Sequence, residues 1–478
     1  MSGASIVRPV PWIAPVREFA VRSWDSVWGI ALLIVSTISR VLCAHSKSMS
    51  RGVLFFLIVG TAGFTRDFSK LGIGPVYITE LCMAVLLATV GTLLFQKKID
   101  FLPRGRVARW CLYLVISYVV FGTVRLGIEL LSGPSAGLLA VLRNFAVVYY
   151  ATFAVLGWFV FQGSGARSSV RYILAATVLA STIISLWTVI SYLLGIDAAS
   201  YDPTLDATVT IQGQAAAFAM LSILVAVNVI RSQLSVNGGL LRAGAIVILL
   251  LNIVYLYMSG HRSALVGCVA GAIMMLTGMR SKLRNRIRWR WAVLAVVVGA
   301  LEWYFLAPHL MDVNVKFHTM SAPLEETNAA WRAAFWLGVV FLWLSSPIFG
   351  VGFSHDFYDE DPLHLVQADH YDPHNSYLAI LARTGTVGFL FVLAASFLFL
   401  RLLIRLVRQT SSEETALLGT CLLSCFAAMA TFAAANVTLE SPYFALFFWL
   451  FIGMGIALAE SERSEEMRPA TTLASTPQ

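Results

Sequence analysis

One histidine stands at the start of a long apolar run, in Asp372-Pro373-His374-Asn375-Ser376-Tyr377-Leu378, and the glycines Gly385 and Gly388 follow it. Imidazole is the side chain best suited to moving a proton near neutral pH, so His374 is a candidate base for an acceptor hydroxyl. Three arginines stand beside other apolar runs. They are Arg143 in Arg143-Asn144-Phe145, Arg262 in Ser259-Gly260-His261-Arg262-Ser263, and Arg332 in Ala330-Trp331-Arg332. A guanidinium is always charged, and its fork matches phosphate oxygens. Several arginines facing one cavity suit a departing pyrophosphate. Each residue also has a plainer use. An arginine at the end of an apolar helix anchors itself in the water interface. Asp372 and Asn375 are ordinary capping residues at a helix start.

The elements that must carry these residues follow from composition. Of 478 residues, 58% are hydrophobic and only 13% are charged. Mean hydropathy is +0.77. Soluble domains carry about 25% charged residues. Apolar runs near the ~20 residues needed to cross a bilayer recur along the whole chain. The expected fold class is all-α, a polytopic helical membrane protein. Candidate spans are 52–64, 77–95, 110–127, 143–161, 172–194, 211–230, 240–258, 263–279, 289–307, 377–400, 415–436 and 441–459.

Three loops between these spans are strongly basic, around Lys97 to Arg109, Arg280 to Arg290, and Arg401 to Arg408. An excess of Lys and Arg marks the cytoplasmic side. About twelve spans keep all three loops inside, with both termini cytoplasmic. Residues 1–51 are expected to form an N-terminal cytoplasmic or interfacial segment, 52–460 the transmembrane domain, and 461–478 a polar, disordered cytoplasmic tail. The stretch Trp28 to Cys43 is either an interfacial helix or one more span. Ala333 to Leu344 is short and apolar, and a crossing there would move the Arg401 loop outside. It is expected to lie in, or dip into, the outer interface. One long external (periplasmic) loop, 308–374, results. It holds six of the eight histidines.

Other chemistry is less favoured. The net charge of +8 sits mostly in the short loops, which is topology rather than nucleic-acid binding. No G-x-x-x-x-G-K-[ST] or G-x-G-x-x-G nucleotide motif occurs in a suitable context. The six cysteines lie in or beside apolar segments without a C-x-x-C pair. Asp369, His370, Asp372 and His374, with His355, Asp356 and His364, are metal ligands by type, but their spacing matches no strict metal motif. No metal and no cofactor is expected.

With these residues on the page, the chain resembles the bacterial O-antigen ligase and O-antigen polymerase superfamily, membrane glycosyltransferases of lipid-linked polysaccharide. The carrying residues are Ser259-Gly260-His261-Arg262-Ser263-Ala264, Arg332 followed by Pro347-Ile348-Phe349-Gly350-Val351-Gly352, Pro373 to Leu378 with Gly385 and Gly388, and Leu439-Glu440-Ser441-Pro442. The resemblance covers 249–456 most clearly. It implies a metal-independent, inverting glycosyl transfer on the periplasmic face of the bacterial inner membrane. The implied donor is an undecaprenyl-pyrophosphate-linked glycan, and the acceptor is another glycan or a lipid A–core sugar. It further implies that Arg262 and Arg332 hold the pyrophosphate, with Arg143 as a third contact, and that His374 activates the acceptor. Asn375 and Tyr377 would position that histidine, and Gly350 and Gly352 would allow a tight turn near the sugar. The rival from a different class is a transporter or flippase of lipid-linked glycans. That rival expects charges deep in the bundle and broken helices near the midplane.

Overall fold

The computed structural model describes residues 46–69, 71–73, 76–95, 99–133, 137–163, 165–193, 200–202, 207–209, 213–232, 238–259, 261–278, 328–355, 357 and 373–467. The expected span at 289–307, the Trp28–Cys43 stretch and most of the 308–374 loop lie outside them.

The chain is helical, as its composition requires. In order the helices are α1 (Ser46–Ser69), α2 (Ile78–Phe95), α3 (Arg106–Ser132), α4 (Leu138–Asn144), α5 (Ala146–Tyr149), α6 (Thr152–Phe161), α7 (Ala166–Leu193), α8 (Gly213–Arg231), α9 (Gly238–Ser259), α10 (Arg262–Gly278), α11 (Asn328–Ser345), α12 (Ser376–Gln409), α13 (Glu413–Ala433) and α14 (Pro442–Glu466). Two small antiparallel hairpins, Gly72–Ile73 with Val76–Tyr77 and Ser200–Asp202 with Ala207–Val209, decorate the connections. Among the described residues seven helices are long and apolar enough to cross a membrane, eight if one bent pair is a single span. The expected spans at 52–64, 211–230 and 263–279 fall on α1, α8 and α10, whose apolar lengths are shorter.

The core is built around α14 and α13. Both are apolar on every side and buried over most of their length. Trp449 of α14, fully buried, stacks on Tyr118 of α3. The outer helices instead leave an apolar stripe uncovered. On α3 it runs through Val120, Val124, Ile128 and Leu131 at helical spacing. A stripe of this kind on a helical bundle is the face presented to lipid. Polar side chains inside the bundle are paired between helices. Asn252 of α9, for example, accepts from Ser185 and donates to Thr182, both on α7.

The expected span 143–161 is broken. Leu138–Tyr149 and Thr152–Phe161 meet at 47°. The amides of Ala151, Phe153 and Ala154 bond three residues back, which tightens the backbone. The buried Tyr118 hydroxyl takes the carbonyl of Val147, supporting the bend from outside.

The bundle has two distinct ends. At one end Arg104 and Gly105 donate backbone N–H groups to Glu460, Arg167 pairs with Glu462 and Glu465, Arg171 pairs with Glu414, and Arg408 donates to the Thr277 carbonyl. The basic loops expected to be cytoplasmic, so far as they are described, thus share an end. The candidate chemical residues gather at the other.

Candidate active site at the end opposite the basic loops

The site is positioned by a helix that enters and turns back. Helix α11 runs beside the first turns of α12. Phe335 and Val339 pack with Ala379 and Ala382, and the Trp336 indole N–H donates to the Pro373 carbonyl. Thirteen residues further along α12 the chain following α11 is still alongside it, since Thr386 N–H donates to the Pro347 carbonyl at 2.8 Å. The two helices therefore run in the same direction. The segment Ser346–Phe353 then turns, and His355 meets Asn144 and Arg383. Because α11 and the start of α12 run side by side in the same direction, Arg332 and His374 lie at one end.

The turn fits into a break in α12. Gly385 sits at φ 66°, ψ −173°, a backbone state that costs glycine little and other residues much. A break there releases the amides of Thr386 and Val387 and the carbonyls of Ala382 and Arg383 from their helical ladder. The re-entrant segment takes up all four. Thr386 and Val387 donate to the carbonyls of Pro347 and Ile348, while Val351 and Gly352 donate to those of Ala382 and Arg383. Non-helical backbone at membrane depth is tolerable only with such internal satisfaction. The approach is so close that a Cβ on Gly350 would lie 2.5 Å from the Arg383 carbonyl and the Gly385 amide.

Helix α3 clamps the same segment with two charges one turn apart. Arg125 donates to the Gly350 carbonyl at 2.8 Å, and Glu129 accepts the Phe353 amide at 2.8 and 2.9 Å. Gly352, at φ 95°, lies against that carboxylate. Asn144 of α4 donates to the Phe353 and His355 carbonyls. Arg383, only 2% exposed, donates to the His355 carbonyl and places its guanidinium 4.3 Å from the Phe357 ring.

His374 follows Pro373 with φ 49°, the one non-glycine residue in the left-handed region among those described. A residue held there is strained and over-determined by its surroundings, a condition common at functional sites. Its surroundings are well defined. The Asn375 side chain caps α12 by accepting the Tyr377 and Leu378 amides. The Tyr377 hydroxyl donates to the Ala430 carbonyl of α13 at 2.8 Å. Ser376, fully buried, accepts the Thr438 and Leu439 amides and lies 2.5 Å from the Glu440 carboxylate. The polar atoms of Asn375 and Tyr377 are thus engaged in fixing the helix start.

Arg332 opens α11 and donates to the Ala435 carbonyl at 3.2 Å, just beyond α13. It lies close enough to His261 that its charge lowers the histidine pKa. Burial is the larger cause of that shift. The His261–Arg262 turn thus lies within electrostatic range of Arg332, and Arg262 itself is exposed at the start of α10. Arg143 belongs to a neighbouring cluster. It is the residue before Asn144, at the strap around His355.

Sequence reasoning did not single out His261, Arg125, Glu129, Asn144, Ser376 or Arg383 for these tasks. Arg125 and Arg383 did carry a signal, as charges inside or beside apolar runs are costly and hence used. Among the described residues no group of three His, Cys, Asp or Glu side chains is placed to hold a metal ion. Asp356, His364, Asp369, His370 and Asp372, the rest of the alternative metal cluster, lie outside the described residues.

The fold defines a multi-pass helical membrane protein with arginines and a histidine at one end of the bundle. Comparison with known families places it further. Residues 245–393 match the model of the O-antigen ligase family, and this match supports the O-antigen ligase and polymerase superfamily. The match includes Arg262, Arg332, the re-entrant turn, His374 and the broken first half of α12. The comparison with curated proteins gave no match.

Proposed function

We propose that this protein is a bacterial inner-membrane glycosyltransferase that ligates or polymerises an undecaprenyl-pyrophosphate-linked glycan on the periplasmic face. The observation that carries the reading is that α11, which bears Arg332, is bonded through Trp336 to Pro373 beside His374. This occurs inside the stretch that matches the O-antigen ligase family.

In this reading the acceptor hydroxyl attacks the anomeric carbon from the face opposite the pyrophosphate. The C–O bond to the leaving group breaks as the glycosidic bond forms, so the configuration inverts. His374 takes the hydroxyl proton. Arg332 and Arg262 stabilise the charge that develops on the departing lipid pyrophosphate, with Arg143 as a further contact from the neighbouring strap. The residues named are sufficient for this step without a metal ion. Asn375 and Tyr377 hold the helix start that carries His374, and Gly350 and Gly352 allow a tight turn near the sugar. The donor tail lies in the bilayer, and the acceptor is a second glycan or a lipid A–core sugar.

Sidedness rests on the described basic segments around Arg104–Arg109 and Arg401–Arg408, which share the opposite end. The broken α12 is also a feature expected of transporters. Here, however, the released backbone groups bond to the chain's own turn rather than lining a substrate path. Transfer from a purified lipid-pyrophosphate donor, assayed with a chelator present, tests the proposal. Wild type should form product, and His374→Ala and Arg332→Ala should each lose most of it. Undiminished transfer by these variants would remove the residues from the chemistry. Lipid translocation between leaflets without any product would make the protein a transporter.

A further inference from the structure

At the end carrying the basic loops, a cleft of about 360 Å³ opens between the start of α3 and the last turns of α12 and α14. Its size falls within the ~300–1,000 Å³ of small-ligand pockets. One arginine reaches it from each helix, namely Arg106 of α3, Arg405 of α12 and Arg463 of α14. All three are exposed, and none makes an ion pair among the described residues. Other arginines at this end do have partners. Arg167 and Arg171 pair with carboxylates, and Arg408 donates to a carbonyl.

The carboxylates lining the cleft do not account for the three charges. Glu460 has both oxygens on the backbone amides of Arg104 and Gly105. Glu462 is taken by Arg167, Thr410 and Thr415. Only Glu466, at the rim, lacks a partner among the described residues. Between the charges the wall is apolar, through Val107, Leu402, Leu406 and Ala459. A compact anion bound here would therefore carry an apolar extension running toward the bilayer.

We propose that this cleft binds the phosphodiester headgroup of an anionic phospholipid of the same leaflet as the basic loops, with Arg106, Arg405 and Arg463 around the phosphate. The chemistry recognised is a phosphate anion. The apolar wall and the position at the membrane edge commit the source to a lipid rather than a soluble phosphate. The inference needs the membrane reading of the fold, but not the glycosyltransfer reading.

The test uses the full chain purified in neutral detergent. Phosphatidylglycerol is titrated against phosphatidylethanolamine, with bound lipid counted by native mass spectrometry and the unfolding midpoint followed in parallel. Phosphatidylglycerol should bind preferentially. The triple variant Arg106→Gln, Arg405→Gln, Arg463→Gln should bind it roughly a hundredfold more weakly, at about fivefold per arginine. Arg401→Gln, an exposed arginine one turn earlier in α12 that does not line the cleft, should bind like wild type. Glu466→Gln should bind a few-fold more tightly. If the triple variant does not fold, Arg405→Gln and Glu466→Gln with their opposite signs still decide. Equal binding of phosphatidylglycerol by wild type and the arginine variants would overturn the proposal. So would inorganic phosphate or glycerol phosphate stabilising the protein as well as the lipid does, which would assign the cleft to a soluble ligand.

Discussion

The clamp between α3 and the re-entrant turn makes a quantitative prediction about Gly352 and Glu129. Glu129 accepts the Phe353 amide with both carboxylate oxygens, and a Cβ on Gly352 would fall 1.6 Å from one of them. Gly352→Ala therefore cannot keep the clamp. The methyl must expel the carboxylate, and the backbone at φ 95° adds its own strain. A hydrogen bond to a charged group contributes about 1.5–3 kcal/mol, so Glu129→Ala should cost about 2 kcal/mol. Left-handed backbone costs a non-glycine residue about 1–2 kcal/mol, so Gly352→Ala should cost about 3.5 kcal/mol, clamp and strain together. If the two acted independently the double variant would lose about 5.5 kcal/mol, but it can lose the clamp only once and should lose about 3.5 kcal/mol. The coupling of about 2 kcal/mol can be read from a double-mutant cycle of unfolding midpoints in SDS titrations of purified protein. Effects that simply add would show that Glu129 does not hold the turn, and would refute the reasoning.

Other outcomes follow from the same geometry. Ser376→Ala leaves the buried Thr438 and Leu439 amides without their acceptor, and should destabilise by about 1–3 kcal/mol while lowering glycan transfer. Unfolding and transfer assays on one preparation check it. His261 is held below its ordinary value of 6.5 by burial first and the Arg332 charge second. The unfolded chain then binds the proton more readily than the folded one. Stability from neutral His261 should be complete above about pH 6.5 and fall as the pH drops below it, and His261→Asn should abolish that slope. Arg332→Lys keeps a charge but loses the fork, and should retain only a minor fraction of transfer in the donor assay. Trp336→Phe keeps the apolar ring but leaves the Pro373 carbonyl without its donor, and should lower transfer more than it lowers stability. Equal losses in the two measurements would argue against a role in placing His374.

Much of this protein could be seen in the chain alone, because a bilayer restricts the options. Apolar runs of spanning length must become helices, so the helical class was legible, as was the shared end of the described basic segments around Arg104–Arg109 and Arg401–Arg408. The local motif around residues 372–378 also announced a helix start, and Asn375 caps it. The bend within 143–161 was not read from hydropathy, and one contact that supports it, the Tyr118 hydroxyl on the Val147 carbonyl, comes from far away in sequence.

The glycines show the division most clearly. Their presence in Pro347-Ile348-Phe349-Gly350-Val351-Gly352 and at Gly385 signalled unusual backbone, and composition carried that much. That the turn after α11 fills the break in α12, exchanging four backbone hydrogen bonds, depends on which helices lie side by side. So do the pairing of Arg125 and Glu129 with that turn and the nearness of Arg332 to His261. The sequence determined that the chain is a set of membrane helices with arginines and a histidine at their ends. Which of these ends meet was decided only by tertiary packing, because contacts between distant segments follow from shape and from the need to satisfy every buried polar group, and no local pattern encodes either.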